Sequence, residues 1–402
     1  MSDFGLPARL EIPAAVLAIA TRLQEAGHDT WCVGGAVRDA LSGAPQSDFD
    51  LATAATPEQV QALFKRTVPV GVEFGTVGVF GDDKVLHEVT TFRHDVTTDG
   101  RRAVVKWGAT IDEDLARRDF TINAIAYHPL RHEWRDPFGG AADLLEKKEV
   151  RAVGKPEERF REDYLRILRG ARFAARFQFC VEKVTWQSMT AEAPGMAQLS
   201  AERVREEWFK MLRTTQSLVW ATKLWRPLIA KTAWMPELLP DDPPEPPPGL
   251  HRDPVLMTVL LAGEGAVPLL TRLKCSNADI ARAKGAVDGP EAPAAVDGQA
   301  PDDRATRRWM AAVGTSEEDL LVLWQLRYGT RAPWDHLVEE IRGRGEATSR
   351  GGLAVTGDDL ISAGVPRGPE VGRTLDRLLD LVLEDPALNT REALLARARE
   401  TT

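Results

Sequence analysis

The chain has 402 residues, 43% hydrophobic and 28% charged, with a net charge of −9. That is an ordinary soluble composition with material for two to four domains and buried cores. The negative balance excludes an indiscriminate basic coat for nucleic acid and leaves room for a local basic strip.

No run of about 18 apolar residues stands out, so no membrane span is expected. The start, MSDFGLPARLEIPAAV, lacks the basic head, apolar stretch and small-residue cleavage site of a signal peptide. Cys32, Cys180 and Cys275 lie far apart and form no CxxC pair. That argues against a disulfide framework or zinc site and for a reducing cytoplasm.

In chain order, residues 9–27 read as an amphipathic helix and Trp31-Cys32-Val33 as a short strand running into Gly34-Gly35. A helix follows from Ala36 to about Leu41, and residues 48–53 form a second strand. Thr56-Pro57 starts a helix, with threonine as the cap and proline at the first helical position. Residues 76–80 and 85–92 flank Gly81-Asp82-Asp83 and predict a hairpin. Strand signals fade after about residue 143. Residues 157–178, 201–213, 255–263, 304–326 and 370–383 carry helical patterns. The proline-rich stretch 236–254 reads as a stiff connector, and 286–302 as a second loop of similar character. Residues 146–176 hold ten Lys/Arg and six Asp/Glu, so positive charge is concentrated there.

Chemistry is concentrated in a few short motifs. Asp48 and Asp50 in SDFDLAT alternate on a predicted strand and share one face. Two carboxylates side by side call for a cation between them, and oxygen donors suit Mg²⁺. Upstream, Gly34-Gly35 let the backbone approach a ligand, and the helix start favours an anion such as phosphate. Arg38 adds a two-pronged phosphate grip. Glu88 in LHEVTTFR is a third acid of the same domain. It can hold metal, accept a proton, or be an exposed strand residue paired with Arg93 or a lysine. In two-metal chemistry one ion activates the attacking hydroxyl and the other neutralises the leaving pyrophosphate.

Asp163 and Arg166, three apart on a predicted helix, are surface neighbours. Together they present acceptors and donors that can match a base edge, or they form a plain salt bridge. His94 reads as a polar loop residue rather than a base. Trp208, Trp220, Trp225 and Trp234 read as core rather than an RNA-stacking surface. No HD-type metal site is visible in the C-terminal part, so added phosphohydrolase activity is not expected.

The ordered set GGAVRD, SDFDLATAATPE, HEVTTFR, ARRDFTINAIAY, DPFGGAADL and EDYLRILRGARF resembles the class II tRNA nucleotidyltransferases, the CCA-adding enzymes, and the related bacterial poly(A) polymerases. The likeness runs from about 30 to 215 and loosens afterwards. It implies an α+β fold: a polymerase beta-like mixed-sheet head, residues 1–145, then a helical neck 146–215, body 216–300 and tRNA-binding tail 301–402. It further implies that Gly35 and Arg38 bind triphosphate, and that Asp48 and Asp50 carry Mg²⁺ with Glu88 as third acid. Arg118, Asp119 and Asn123 would contact ribose and phosphates. Asp136, Gly139 and Gly140 would form a springy connection. Asp163 and Arg166 would read the base, supported by Arg169 and Arg172.

Residues 94–116 correspond in the family to a flexible loop that switches the pocket between CTP and ATP. Its near-full length favours complete CCA addition, with tRNA, CTP and ATP as partners and no obligate protein partner. A CC- or A-adding specialist ranks next, and a poly(A) polymerase third, because TREALLARARETT is a short tail of mixed charge. A transferase acting on a protein or antibiotic, or a non-catalytic RNA-binding protein, would leave the EDYLR segment or the acids without a purpose.

Overall fold

A computed structural model describes residues 5–43, 49–98, 103–295 and 300–400. The chain divides into two compact units, Met1–Pro236 and Glu237–Thr402, and the division falls at the start of the proline-rich stretch.

The first unit opens with α1 (Ala14–Glu25), β1 (Thr30–Val33), α2 (Gly35–Leu41), β2 (Asp50–Thr53) and α3 (Pro57–Leu63). Then come β3 (Thr67–Gly71), β4 (Thr76–Phe80), β5 (Leu86–Thr91), β6 (Arg93–Thr98), β7 (Ala103–Trp107), α4 (Ile111–Ala116), β8 (Ala126–His128) and β9 (Glu133–Arg135). Seven strands form one mixed sheet, ordered β3-β4-β5-β2-β1-β8-β9. The β2–β5 pair is parallel; the other pairs in it are antiparallel. One face of the sheet carries Trp31, Val33 and Ala52 into a core with Leu115, Ala124, Ala126 and Val153. Local chemistry sets the start of α3 as expected. The Thr56 hydroxyl accepts from the Gln59 N–H, and Gln59 Oε1 accepts from the Thr56 N–H at 2.8 Å. The hairpin expected at 76–92 forms from β4 and β5.

Within 94–116, where a loop was expected, the described residues form mostly regular elements. β6 and β7 pair antiparallel, Arg93 opposite Trp107, and α4 follows. Residues 99–102 lie outside the described part, as do the side chains of His94 and Asp95.

Beyond the sheet come α5 (Gly140–Ala142), β10 (Glu149–Val150), α6 (Pro156–Glu162), α7 (Leu165–Phe177), β11 (Cys180–Val181), α8 (Lys183–Glu192), α9 (Ala201–Thr214) and α10 (Leu218–Ile229). This part is mostly helical; β10 and β11 form one short parallel pair. The single helix expected over 157–178 is two. Asp163 is extended, with φ −157° and ψ 104°, and its Oδ1 accepts from the Leu165 N–H at 3.1 Å. A short polar side chain that bonds its own downstream backbone competes with helix continuation. Trp208 and Trp225 are fully buried with ring centroids 5.4 Å apart, so they are core.

The second unit is helical: α11 (Pro254–Ala262), α12 (Ala266–Arg272), α13 (Asn277–Asp288), α14 (Asp303–Val313), α15 (Glu317–Tyr328), α16 (Asp335–Gly343), α17 (Gly357–Ser362), α18 (Pro369–Glu384) and α19 (Arg391–Arg399). The helix expected over 304–326 breaks at Gly314, whose φ of 54° suits glycine and ends α14. Pro254–Arg272 is long and apolar enough on average to cross a membrane, but Gly263-Glu264-Gly265 interrupts the apolar run and 67% of its 18-residue window is buried. Its residues make core with α13 and α15.

Candidate active site

The first unit contains a cavity of about 580 Å³, lined by residues from β1–α2, β2, the α4–β8 segment, α7 and α9. Nine arginine and lysine side chains face it against three aspartates. Like charges packed this closely repel unless acids lie between them, and buried or half-buried carboxylates occupy those places. Asp39 accepts from Arg38 at 2.8 Å and from Arg176 at 2.8 Å. Asp114 holds Arg117 at 2.7 Å and Arg118 at 3.3 Å. Glu162 holds Arg166, Asp119 holds Arg169, Glu207 holds Arg172 and Asp163 holds Arg203. Among the described residues, Lys210 is the one lining cation without a carboxylate partner. Each arginine has more N–H groups than its acid can use; some of these go to Asn123 and to backbone carbonyls, and those left over can meet an anion.

Gly34, Asp50 and Arg118 meet at the start of α2. Gly34 has φ 77°, and a Cβ placed there would lie 3.3 Å from Arg118 Nη1 and 3.5 Å from Asp50 Oδ2. A side chain would thus crowd the space where Asp50 and Arg118 meet, which accounts for glycine at this turn. Asp50 stands opposite Val33 on β1 and lines the cavity. In the parallel β2–β5 pair Leu51 faces Val89, so one step back sets Asp50 beside Glu88 on the same face. Neighbouring strands lie about 4.8 Å apart. Glu88 is exposed on that face and does not line the cavity itself. Asp48 lies outside the described residues, and among those described no cluster of three or more His, Cys, Asp or Glu is assembled.

A continuous polar chain crosses the cavity wall. Asn123 Oδ1 accepts from Arg38 Nη1 at 2.5 Å, and its Nδ2 donates to Asp119 Oδ1 at 2.9 Å. Asp119 Oδ2 in turn accepts from Arg169 at 2.7 Å. Burial pushes the Asp119 carboxyl up, but the Arg169 guanidinium, the Asn123 amide and the Phe120 N–H outweigh it and hold the group at about 2. Burial lowers Arg38, which Asp39 opposes; the Phe173 and Phe177 rings flank its guanidinium at 5.0 and 5.2 Å. Burial likewise lowers Arg172, which Glu207 opposes. Arg118 Nε is buried with no acceptor among the described residues.

The pair expected to read the base departs from the helical picture. Asp163 sits in the joint between α6 and α7 and pairs with Arg203 of α9 at 2.7 Å. Arg166 does not pair with it. Its guanidinium donates to Glu162 at 2.6 Å and to the backbone carbonyls of Arg159 and Arg117 at 3.1 and 3.2 Å. Both side chains nonetheless line the cavity. Gly35, Arg118, Asp119, Asn123, Arg169 and Arg172 are brought into the same lining. Sequence reasoning missed Arg117, Arg176, Arg203 and Lys210. Arg203 and Lys210 are seven apart on one helix, a spacing of two turns that marks a shared face, and that signal was available. Asp136, expected in a connecting turn, accepts from the Gly140 and Ala141 N–H groups at 2.7 and 2.9 Å.

Residues 30–151 match the poly A polymerase head domain family, and residues 178–239 match the family described as the probable RNA and SrmB-binding site of polymerase A. A CCA-adding enzyme of Streptococcus pyogenes is 46% identical over 198 residues, 49% of this chain and 48% of that protein. The aligned part thus spans about half the length of that curated relative. The Bacillus stearothermophilus CCA-adding enzyme, solved in complex with CTP, is 31% identical with a TM-score of 0.77, covering 96% of each chain. The Thermotoga maritima CCA-adding enzyme complexed with tRNA shares the fold at 18% identity and a TM-score of 0.62, covering 97% of this chain and 96% of that one.

Proposed function

The chain belongs to the class II CCA-adding enzyme family, and on that premise we propose that it adds CMP and AMP from CTP and ATP to the 3′ end of tRNA, in the cytoplasm. The observation that carries this reading is the single cavity in which Asp50, Arg38 and Arg118 face Asp163 and Arg166. Residues suited to a triphosphate and residues suited to a base edge line one space of about 580 Å³, which supports this reading.

The donor set near Asp50 fits a hard divalent cation. Asp50 and Glu88 occupy adjacent strand positions on one sheet face and offer carboxylate oxygens. With Asp48, they would hold Mg²⁺, which when bound lowers the pKa of the attacking hydroxyl and neutralises the pyrophosphate. The chain's own residues do the rest. Gly34 and Gly35 keep the approach to the phosphates open. Arg38 and Arg118 grip phosphate oxygens with the N–H edges their acids leave unused. Asn123, fixed by Arg38 and Asp119, presents a held amide to the sugar side. Asp163 and Arg166, each anchored by a different partner, present acceptor and donor to the base and exclude edges that do not match.

The division into head 1–145, neck 146–215, body 216–300 and tail 301–402 accompanies this reading, the second unit supplying tRNA contacts. The test is incorporation. Purified protein is given a tRNA truncated before its terminal CCA, with CTP, ATP or both. Two CMP followed by one AMP supports the proposal. Addition of CMP only, or of AMP only to a tRNA ending in CC, would make it a specialist. Long A-tracts from ATP alone would make it a poly(A) polymerase.

A further inference from the structure

A second cavity, about 420 Å³, lies in the first unit between α1, the end of α3 and the β4–β5 turn. Its wall carries Ala15, Ala18 and Ile19, two aromatic rings, four cations and one acid, Asp82. The cations are Arg22, Lys65, Arg66 and Lys84, and among the described residues none has a carboxylate partner. That sets the place apart from the candidate active site, where eight arginines are neutralised by acids.

The two guanidiniums are held by rings instead. Arg22 lies over Phe64 at 5.2 Å, and Arg66 over Phe80 at 4.9 Å. Stacking fixes the plane of a guanidinium without consuming its N–H donors. Two pre-set forks with free edges, beside two lysines and an apolar floor, make a receptor for phosphate oxygens with a planar group against the floor. The cavity shares no lining residue with the one that Asp50 lines, and its α1 wall is on the reverse face of the sheet from Asp50. A Cβ at Gly81 would meet Ala15 of α1 at 3.0 Å and the His87 ring at 3.1 Å. His87 and Glu88 alternate on β5, so α1 covers the face opposite Glu88 and its neighbour Asp50. A ligand here is not the reacting nucleotide.

We propose that this cavity docks a phosphate-bearing nucleotide of an RNA chain, apart from the catalytic cavity. The cations come from separate elements and ring an open rim, which suits a strand passing over rather than a small ion enclosed. The choice of RNA rests on the tRNA-substrate reading; the presence of the anion site does not.

The test is fluorescence anisotropy of a labelled tRNA transcript and, separately, calorimetric titration with ATP. Both are run on the full chain and on the double variant Arg22→Glu/Arg66→Glu, with circular dichroism to show that the variant folds. A second variant, Arg9→Glu/Arg135→Glu, makes the same charge change at two exposed arginines of the unit that lie outside both cavities and outside residues 178–239. The proposal expects the first variant to weaken tRNA binding about tenfold and flatten the salt dependence by about two phosphate contacts. The control changes less. Equal weakening by both variants, or none by either, overturns it. So does loss of a second ATP equivalent without loss of tRNA affinity, which would make the cavity a free-nucleotide site. Failure of CMP incorporation by the unmutated chain, with the anisotropy result intact, would strike the catalytic reading alone.

Discussion

Asp163 accepts a hydrogen bond from Arg203 at 2.7 Å, so the carboxylate in the joint between α6 and α7 is oriented from α9. The arginine three residues on, Arg166, is oriented by Glu162 and two backbone carbonyls. The cavity's acceptor and donor are therefore set independently. Arg203→Ala is expected to free Asp163 and reduce discrimination among CTP, ATP, UTP and GTP about tenfold, since one good edge contact is worth about 1–3 kcal/mol. Arg166→Ala should blur it as well. Steady-state kcat/KM for the four nucleotides reads both effects, and unchanged selectivity would remove the base-reading role.

Asp119 links α7 to the segment after α4 through Arg169 and Asn123. Its carboxyl is depressed from 3.8 to about 2, so its contribution to stability is full above the unfolded value and is lost as pH falls through the folded one. Asp119→Asn is expected to lower stability at neutral pH. The gap to the unmutated chain should close as pH drops from near 4 towards 2. Chemical denaturation across that window checks it, and a gap that stays constant would contradict the assigned ion pair.

Gly140 is sterically committed. A Cβ there would lie 2.0 Å from the Thr121 carbonyl oxygen, which is backbone and cannot swing away. Gly140→Ala is expected to cost about 1–3 kcal/mol, the usual range for overpacking. Thermal unfolding would show a lower Tm; an unchanged Tm would mean that the turn has room.

Much of the candidate site could be read from residues alone because its signals are short and local. Gly34, Arg38 and Asp50 sit within one strand–helix–strand passage, and the turn demands glycine for a reason visible in the φ of Gly34. The mixed sheet and helical remainder followed from where alternating apolar residues stop. What failed were inferences that assume an unbroken period. The helical pattern across Asp163 is correct on both sides and wrong at the joint, because one side chain there bonds the backbone instead. Gly314 interrupts a helix for a conformational reason that apolar spacing does not record. The β6–β7 ribbon was hidden by polar composition, although an Asp-Gly dipeptide at 99–100 is a hairpin signal. The partners Arg203 and Glu207 come from turns 40 and 35 residues away from Asp163 and Arg172, and pairing across such distances leaves no local trace.

The account turns on Asp50 serving transfer rather than RNA binding. The most direct measurement is Asp50→Ala, assayed in parallel for CMP incorporation into truncated tRNA and for affinity for the same tRNA. Transfer is expected to fall by about 10³-fold or more, the equivalent of about 4 kcal/mol in the barrier, with tRNA affinity within about twofold of the unmutated chain. Equal losses in both, or transfer that persists, would contradict the placement of the reacting phosphates beside Asp50.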